Sequence, residues 1–263
     1  MDWIQIIVLA LVQGITEFLP VSSSAHLILV PELLGWPDQG LAFDVAVHVG
    51  ALLAVVIYFQ KQLRHISLAC YRSMRQPVCD DTRLAINVVI ATLPIVPAGL
   101  LANYFEDALR DPLVIAWTTV GFGLVLWWAA HAREQNKTEY QILVGMALAI
   151  GLAQCLALIP GTSRSGITIT AGLLLGLTPV AAARFSFLLS IPVIVMAGGL
   201  KTIEWIQLGM PDSGVYLLVG AGLAAVSAGA CIHIFLKLLD RIGMLPFVIY
   251  RLLLGAFLFS VFT

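Results

Sequence analysis

Six stretches of this chain, residues 42–60, 84–104, 113–131, 180–200, 215–236 and 245–262, are apolar over close to the length of a bilayer-crossing helix. Such a helix must cover ~30 Å of hydrocarbon. No other feature restricts the fold as much. With 60% hydrophobic and 11% charged residues, the chain is not a soluble domain of ordinary composition. It reads as an all-α polytopic membrane protein forming one integral membrane domain, residues 1–263. A formal net charge of −1 points to no nucleic-acid partner. The N-terminus does not read as a secretory signal, because Asp2 is its only early charge and Gln13 and Glu17 interrupt the apolar run. Cys70, Cys79, Cys155 and Cys231 have no metal-ligand spacing, and such a chain needs no disulfide framework.

Twice an apolar segment stops at a proline and becomes a serine-rich cluster. The first runs Gln13-Gly-Ile-Thr-Glu17-Phe-Leu-Pro20-Val-Ser22-Ser23-Ser24-Ala-His26, the second Gln154-Cys-Leu-Ala-Leu-Ile-Pro160-Gly-Thr162-Ser163-Arg164-Ser165-Gly166. Apolar sequence flanks both, which places ionisable groups at membrane depth. Charge held there is costly and marks a functional site by default.

The clusters align with each other. Pairing Pro20 with Pro160 sets Ser22 opposite Thr162 and Ser23 opposite Ser163, and a slip of one residue pairs Leu34-Gly35 with Leu175-Gly176. Faint internal symmetry of this kind accompanies duplicated membrane folds. The segments Ser22–Leu34 and Ser163–Gly176 are too short to span, and proline starts helices but disrupts their interiors. Each half therefore reads as a re-entrant helix hairpin plus three transmembrane helices (repeat 1, 1–135; repeat 2, 136–263). Three crossings are odd, so the second repeat is inverted and the hairpin tips can meet near the midplane.

Cation placement orients this arrangement. Lys61, Arg64, Arg72, Arg75, Arg83, Arg133, Lys137, Arg184, Lys237 and Arg241 fall on one side, expected to be cytoplasmic. The other side has Arg110 and Lys201 with the acidic Asp38, Glu106, Asp107, Asp111, Glu204 and Asp212. Both termini and the mouth of the first hairpin then face outward.

Gln13 and Glu17, four residues apart, share one helix face. Serines at a helix start serve as caps, but three in a row with His26 following exceed what one cap requires. Glu17, Ser23 and His26 can form a structural pair with a hydroxyl beside it, or a nucleophile with its base. Arg164 between Ser163 and Ser165, again at a helix start, is an anion site matched to phosphate. Its bland alternative is neutralisation of Glu17 across the interface. Together the clusters imply a phosphate ester or diphosphate whose remainder is comfortable in lipid. Asp44 and His48 read as supporting groups or interface anchors, Arg184 as a cytoplasmic anchor, and Arg251, inside the last span, as a residue that snorkels or pairs.

At these motifs, and at Phe185-Ser-Phe-Leu-Leu-Ser-Ile-Pro192, the chain closely resembles the undecaprenyl-diphosphate phosphatase family, also called the bacitracin-resistance protein family. Gln13 stands where many members carry glutamate. The resemblance implies hydrolysis of undecaprenyl diphosphate to the monophosphate carrier of cell-wall glycan synthesis, in the bacterial inner membrane, with a site reached from the periplasmic side. It implies a divalent cation, Mg2+ or Ca2+, with Glu17 as acid/base or metal partner. Ser23 is then the nucleophile, His26 a base or orienting group, and Arg164 the diphosphate clamp. Gln13, Ser22, Ser24, Thr162, Ser163 and Ser165 would be the substrate-binding set. The expected partners are the polyprenyl diphosphate and membrane lipids, with a homodimer left open.

Two other classes compete. A secondary transporter or flippase of a lipid phosphate would use the same architecture and the same anion site. A histidine-nucleophile acid phosphatase would need a Lys…Arg-Pro element and a later His-x-x-x-Asp, and the chain has neither.

Overall fold

The computed structural model describes the whole chain except residues 74–75, 103–110, 133, 208–213 and 263. Arg75, Glu106, Asp107, Arg110, Arg133 and Asp212 of the charge pattern lie outside the described residues. The described residues are helical, apart from turns and short connections, two 3-10 turns and one isolated bridge between Lys137 and Leu177.

The helices, in chain order, are α1 Trp3–Thr16, α2 Ser23–Leu34, α3 Leu41–Tyr58, α4 Gln60–Ser73, α5 Asp80–Thr92 and α6 Ile95–Ala102. They continue as α7 Pro112–His131, α8 Val144–Gln154, α9 Arg164–Leu174, α10 Pro179–Gln207, α11 Gly214–Ile242 and α12 Leu245–Phe262. Among the described residues, six segments are long and apolar enough to cross a membrane, and they overlap the six apolar stretches of the sequence. The second of them is interrupted between Thr92 and Ile95, where Pro94 cannot donate a backbone hydrogen bond.

Outside those six segments, four described apolar helices are shorter: α1 (14 residues), α2 (12), α8 (11) and α9 (11). They form two pairs, α1–α2 and α8–α9, each broken at the proline the sequence singled out. The prolines sit in the connecting turns, however, and not in the first helical turn. The new helices begin only at Ser23 and Arg164, each capped by the serine before it.

The packing is reciprocal. α1 lies on α11, and α8 lies on α5, while α3 packs on both α10 and α11. α7 and α12 pair with each other and flank the hairpins: α9 packs on α7, and Ala25 and Leu29 of α2 cluster with Ile115, Ala116 and Leu258. Small residues permit the closest crossings. A Cβ on Gly50 would overlap the Ala221 carbonyl, and one on Gly151 that of Ala91. Between helices in lipid, such close backbone approach supplies the van der Waals contact that apolar burial cannot.

Charged and polar residues tie three connections together at one end of the bundle. Arg184 Nε donates to Glu139 Oε1 at 2.6 Å, and Arg184 Nη2 to Gln62 Oε1 at 2.8 Å. The amides of Asn136 and Lys137 donate to the Gly176 carbonyl. Arg184 is thus a structural tie between the start of α4, the 3-10 turn at Glu139–Gln141 and the start of α10.

Candidate active site

Glu17 ends α1, one turn after Gln13, and its backbone N–H still donates to the Gln13 carbonyl. The chain then turns through Pro20 and restarts at Ser23. Ser22 closes that restart in an unusual conformation, φ 74° and ψ 93°, with its Oγ accepting from the Ala25 amide. Ser163 does the same at the second restart, φ 71° and ψ 116°, accepting from the Gly166 amide at 3.0 Å. They are the only described non-glycine residues with positive φ. That conformation costs about 1 kcal/mol or more and clusters at functional sites.

The backbone therefore pairs Ser22 with Ser163, one residue further along than the proline-anchored pairing with Thr162. The following positions agree: Ser22 Oγ lies 3.3 Å from Ser24 Oγ, and Ser163 Oγ lies 3.2 Å from Ser165 Oγ. Ser23 and Arg164 then occupy the same place, the first residue of a helix. Both reach Glu17. Arg164 Nη2 donates to Oε1 at 2.6 Å, and Ser23 Oγ donates to Oε2 at 2.6 Å. Gln13 Nε2 adds a third donor to Oε2 at 2.9 Å.

A carboxylate 7% exposed would be strongly penalised without partners, and these three charge-assisted bonds offset that cost. Gln13 suits the place because its amide donates to Glu17, where a second carboxylate would repel it. Arg164 neutralises Glu17 across the two clusters, as the bland alternative required. Its fork has five N–H donors; the bonds found for it are those to Glu17 and, from Nη1, to the Ser186 carbonyl at 3.3 Å. Donors remain for an anion.

A cavity of about 740 Å³ opens on this cluster and touches Glu17, Ser22, Ser23, Ser24, Ser163 and Arg164. The first-turn amides of α2 and α9 have no intrahelical acceptor, and the positive dipole ends lie at the same place. A second, mostly apolar cavity of about 890 Å³ adjoins it and shares Ser24, His48, Leu158 and Val193 among its walls. One space is suited to an anionic group and the other to hydrocarbon.

The remaining expected residues have other partners. The hydrogen bonds of His26 do not go to Ser23: its Nδ1 meets the Ser22 carbonyl at 2.6 Å and its Nε2 the Tyr250 hydroxyl at 2.6 Å. Ser165 Oγ donates to the Leu19 carbonyl at 2.7 Å and so joins the second helix start to the first turn. Thr162 is fully buried, and its Oγ1 has no hydrogen-bond partner among the described residues. As a protein-held metal centre the donor set does not fit. Glu17 is the one carboxylate of the hydrogen-bonded cluster, both its oxygens are engaged, and no group of three or more His, Cys, Asp or Glu among the described residues could hold an ion.

Arg251, on α12, neither snorkels nor pairs with an acid. It is 1% exposed, and its guanidinium donates to the carbonyls of Pro20, Thr118, Thr119, Gly161 and Thr162. One side chain thus holds both proline turns. The signal was an arginine inside an apolar span, with nothing in the sequence to name its carbonyl partners. Ser186, which meets Arg164 by its carbonyl and Thr168 Oγ1 by its Oγ at 2.7 Å, carried only the signal of the Phe185–Pro192 stretch.

Comparison with known proteins identifies the family of the chain. The sequence profile of the bacitracin resistance protein BacA family matches residues 6–257. The chain is 56% identical, over all of its length and 99% of the relative's, to "Undecaprenyl-diphosphatase 2" of Stutzerimonas stutzeri. It is 54% identical to "Undecaprenyl-diphosphatase" of Nitrosococcus oceani, over the full length of both. The protein of the same name from Chromohalobacter salexigens is 56% identical over 97% of each chain. Glu17, Ser23 and Arg164 thus converge in a chain that belongs to the bacitracin resistance protein BacA family.

Proposed function

We propose that this protein hydrolyses undecaprenyl diphosphate to undecaprenyl phosphate and inorganic phosphate, recycling the lipid carrier for cell-wall synthesis and so conferring bacitracin resistance. The observation that carries the proposal is the convergence on Glu17 of Ser23 and Arg164, from remote parts of the chain, beside an apolar cavity. The relatives named undecaprenyl-diphosphatase support the same reading.

In this reading the diphosphate enters the polar cavity and the prenyl chain lies in the apolar one. Arg164 and the first-turn amides of both helices bind phosphate oxygens and stabilise charge as it spreads in the transition state. Ser23 Oγ attacks the terminal phosphorus and passes its proton to Glu17 Oε2, to which it is already hydrogen-bonded. The bridging P–O bond breaks, and the prenyl monophosphate leaves. Water then cleaves the phosphoserine. His26, with both ring nitrogens engaged, orients the helix start. Ser22 and Ser163 cap the two helices, Ser24 lines the cavity wall, and Gln13 holds Glu17 in place. A divalent cation is a companion of the diphosphate here, and no step is routed through it.

The architecture that fits is a pair of inverted-topology repeats with re-entrant hairpins. Its support is the shortness of α1, α2, α8 and α9, the matched Ser22 and Ser163 conformations, and the reciprocal contacts α1–α11 and α8–α5. The cavity rim carries Asp38, Lys201 and Glu204, from the acid-rich side, which favours a periplasmic opening in the bacterial inner membrane.

The test is phosphate release. Purified protein in detergent, given undecaprenyl diphosphate and Mg2+ or Ca2+, is expected to liberate inorganic phosphate. Folded protein that binds the lipid and releases none would instead be a carrier.

A further inference from the structure

We propose that His48 is a catalytic residue: its Nε2 accepts the proton of the water that attacks phosphorus. The proposal rests on the phosphatase reading above and adds the base of its second half-reaction.

The geometry separates the imidazoles. His48 stands on α3 one turn after Asp44, and its Nδ1 lies 2.7 Å from the Asp44 carbonyl. A carbonyl can only accept, so Nδ1 carries the hydrogen and the neutral ring keeps its lone pair on Nε2. That atom lies 3.8 Å from Glu17 Oε2, beyond hydrogen-bond distance, and an ionised carboxylate has no proton with which to occupy the lone pair. The side chain is 34% exposed and lines both cavities, within reach of water. His26 is the reverse case: its two nitrogens are committed to Ser22 and Tyr250, and its ring stacks on Tyr250 at 5.8 Å. His65, His131 and His233 line neither cavity.

Charged groups face this position from several elements. Glu17 approaches from the end of α1, with Arg164 of α9 behind it. Lys201 and Glu204 of α10 and Asp38 and Asp44 around the start of α3 border the same open cavity, through which the proton reaches bulk water.

The step balances. A water oxygen bonds to phosphorus, its proton moves to His48 Nε2, and the bond from phosphorus to Ser23 Oγ breaks. Ser23 Oγ recovers the proton that Glu17 took in the first half-reaction. Inorganic phosphate leaves, and His48 hands its proton to solvent.

The experiment uses the full-length protein in detergent, undecaprenyl diphosphate radiolabelled in the β-phosphate, a divalent cation and rapid acid quenching. In His48→Gln, labelled protein is expected to accumulate to near one label per chain, with a burst rate close to wild type. Steady-state kcat should fall about 100-fold, the usual yield of one general base, with KM unchanged. In His48→Ala, added imidazole should restore turnover, which a packing role would not allow. Turnover of either variant near the wild-type rate would overturn the proposal. So would loss of the burst together with kcat in folded protein, or failure of imidazole to rescue His48→Ala. If wild type itself leaves no label on Ser23, the phosphoserine reading fails separately. The kcat loss and the imidazole rescue would then still decide whether His48 serves a water that attacks the diphosphate directly.

Discussion

The starts of α2 and α9 share a backbone and differ in what they carry. Each opens with a serine at positive φ whose hydroxyl caps the amide three residues on, and each places another serine two residues beyond it. At the position between, one has Ser23, short and able to be deprotonated, and the other Arg164, long and permanently charged. Both contact the same carboxylate at 2.6 Å. One local fold, used twice, thus supplies a nucleophile from one side and an anion clamp from the other. The strain at Ser22 and Ser163 belongs to the shared scaffold, and the chemistry to the single residue that differs.

Exchanging the two residues is the severest way to break this comparison. The double variant Ser23→Arg with Arg164→Ser keeps composition and charge, yet Glu17 belongs to the first hairpin alone. Phosphate release should drop to background; recovery to within about tenfold of wild type would mean that the two starts are functionally interchangeable. Arg164→Ala alone is expected to lower kcat/KM about 10³-fold, the scale of a lost transition-state clamp. Ser23→Ala should lose both turnover and acid-stable label. Turnover well above background in Ser23→Ala would assign the attack to water.

Stability sharpens the comparison further. Arg251→Met leaves buried carbonyls in both turns without donors, at a cost of about 3 kcal/mol or more in thermal unfolding in detergent. The smallest effects belong to the caps. Ser22→Ala and Ser163→Ala should each cost about 1–2 kcal/mol, losing the cap while keeping the strained φ. The glycine variants should cost only a few tenths of a kcal/mol, since glycine adopts positive φ freely. Unequal results at the two positions would separate two backbones that now look alike.

Much of this arrangement was legible in the residues. Apolar length alone gives the six long helices, and the prolines mark both breaks. The i, i+4 spacing of Gln13 and Glu17 anticipates their hydrogen bond. The residues that escaped did so for a common reason: their partners are set by tertiary packing. His26 shares a helix with Ser23, but Tyr250 on α12 captures its ring. The hydroxyl of Ser165 and the carbonyl of Thr162 are turned to Leu19 and Arg251, toward the joint between the turns. Pairing by proline set the clusters one residue out of register, because the second turn reaches its cap with one residue more after the proline. His48 lies far from either motif along the chain.

Arg251 gives this site a particular mechanical property. Nucleophile and clamp stand at separate helix starts, but the turns that lead into both are fastened to one guanidinium on a third helix, α12. A shift of that helix as the surrounding bilayer thins or tilts would carry both turns in the same direction. Their spacing would be preserved, as two instruments bolted to one bench stay aligned when the floor moves.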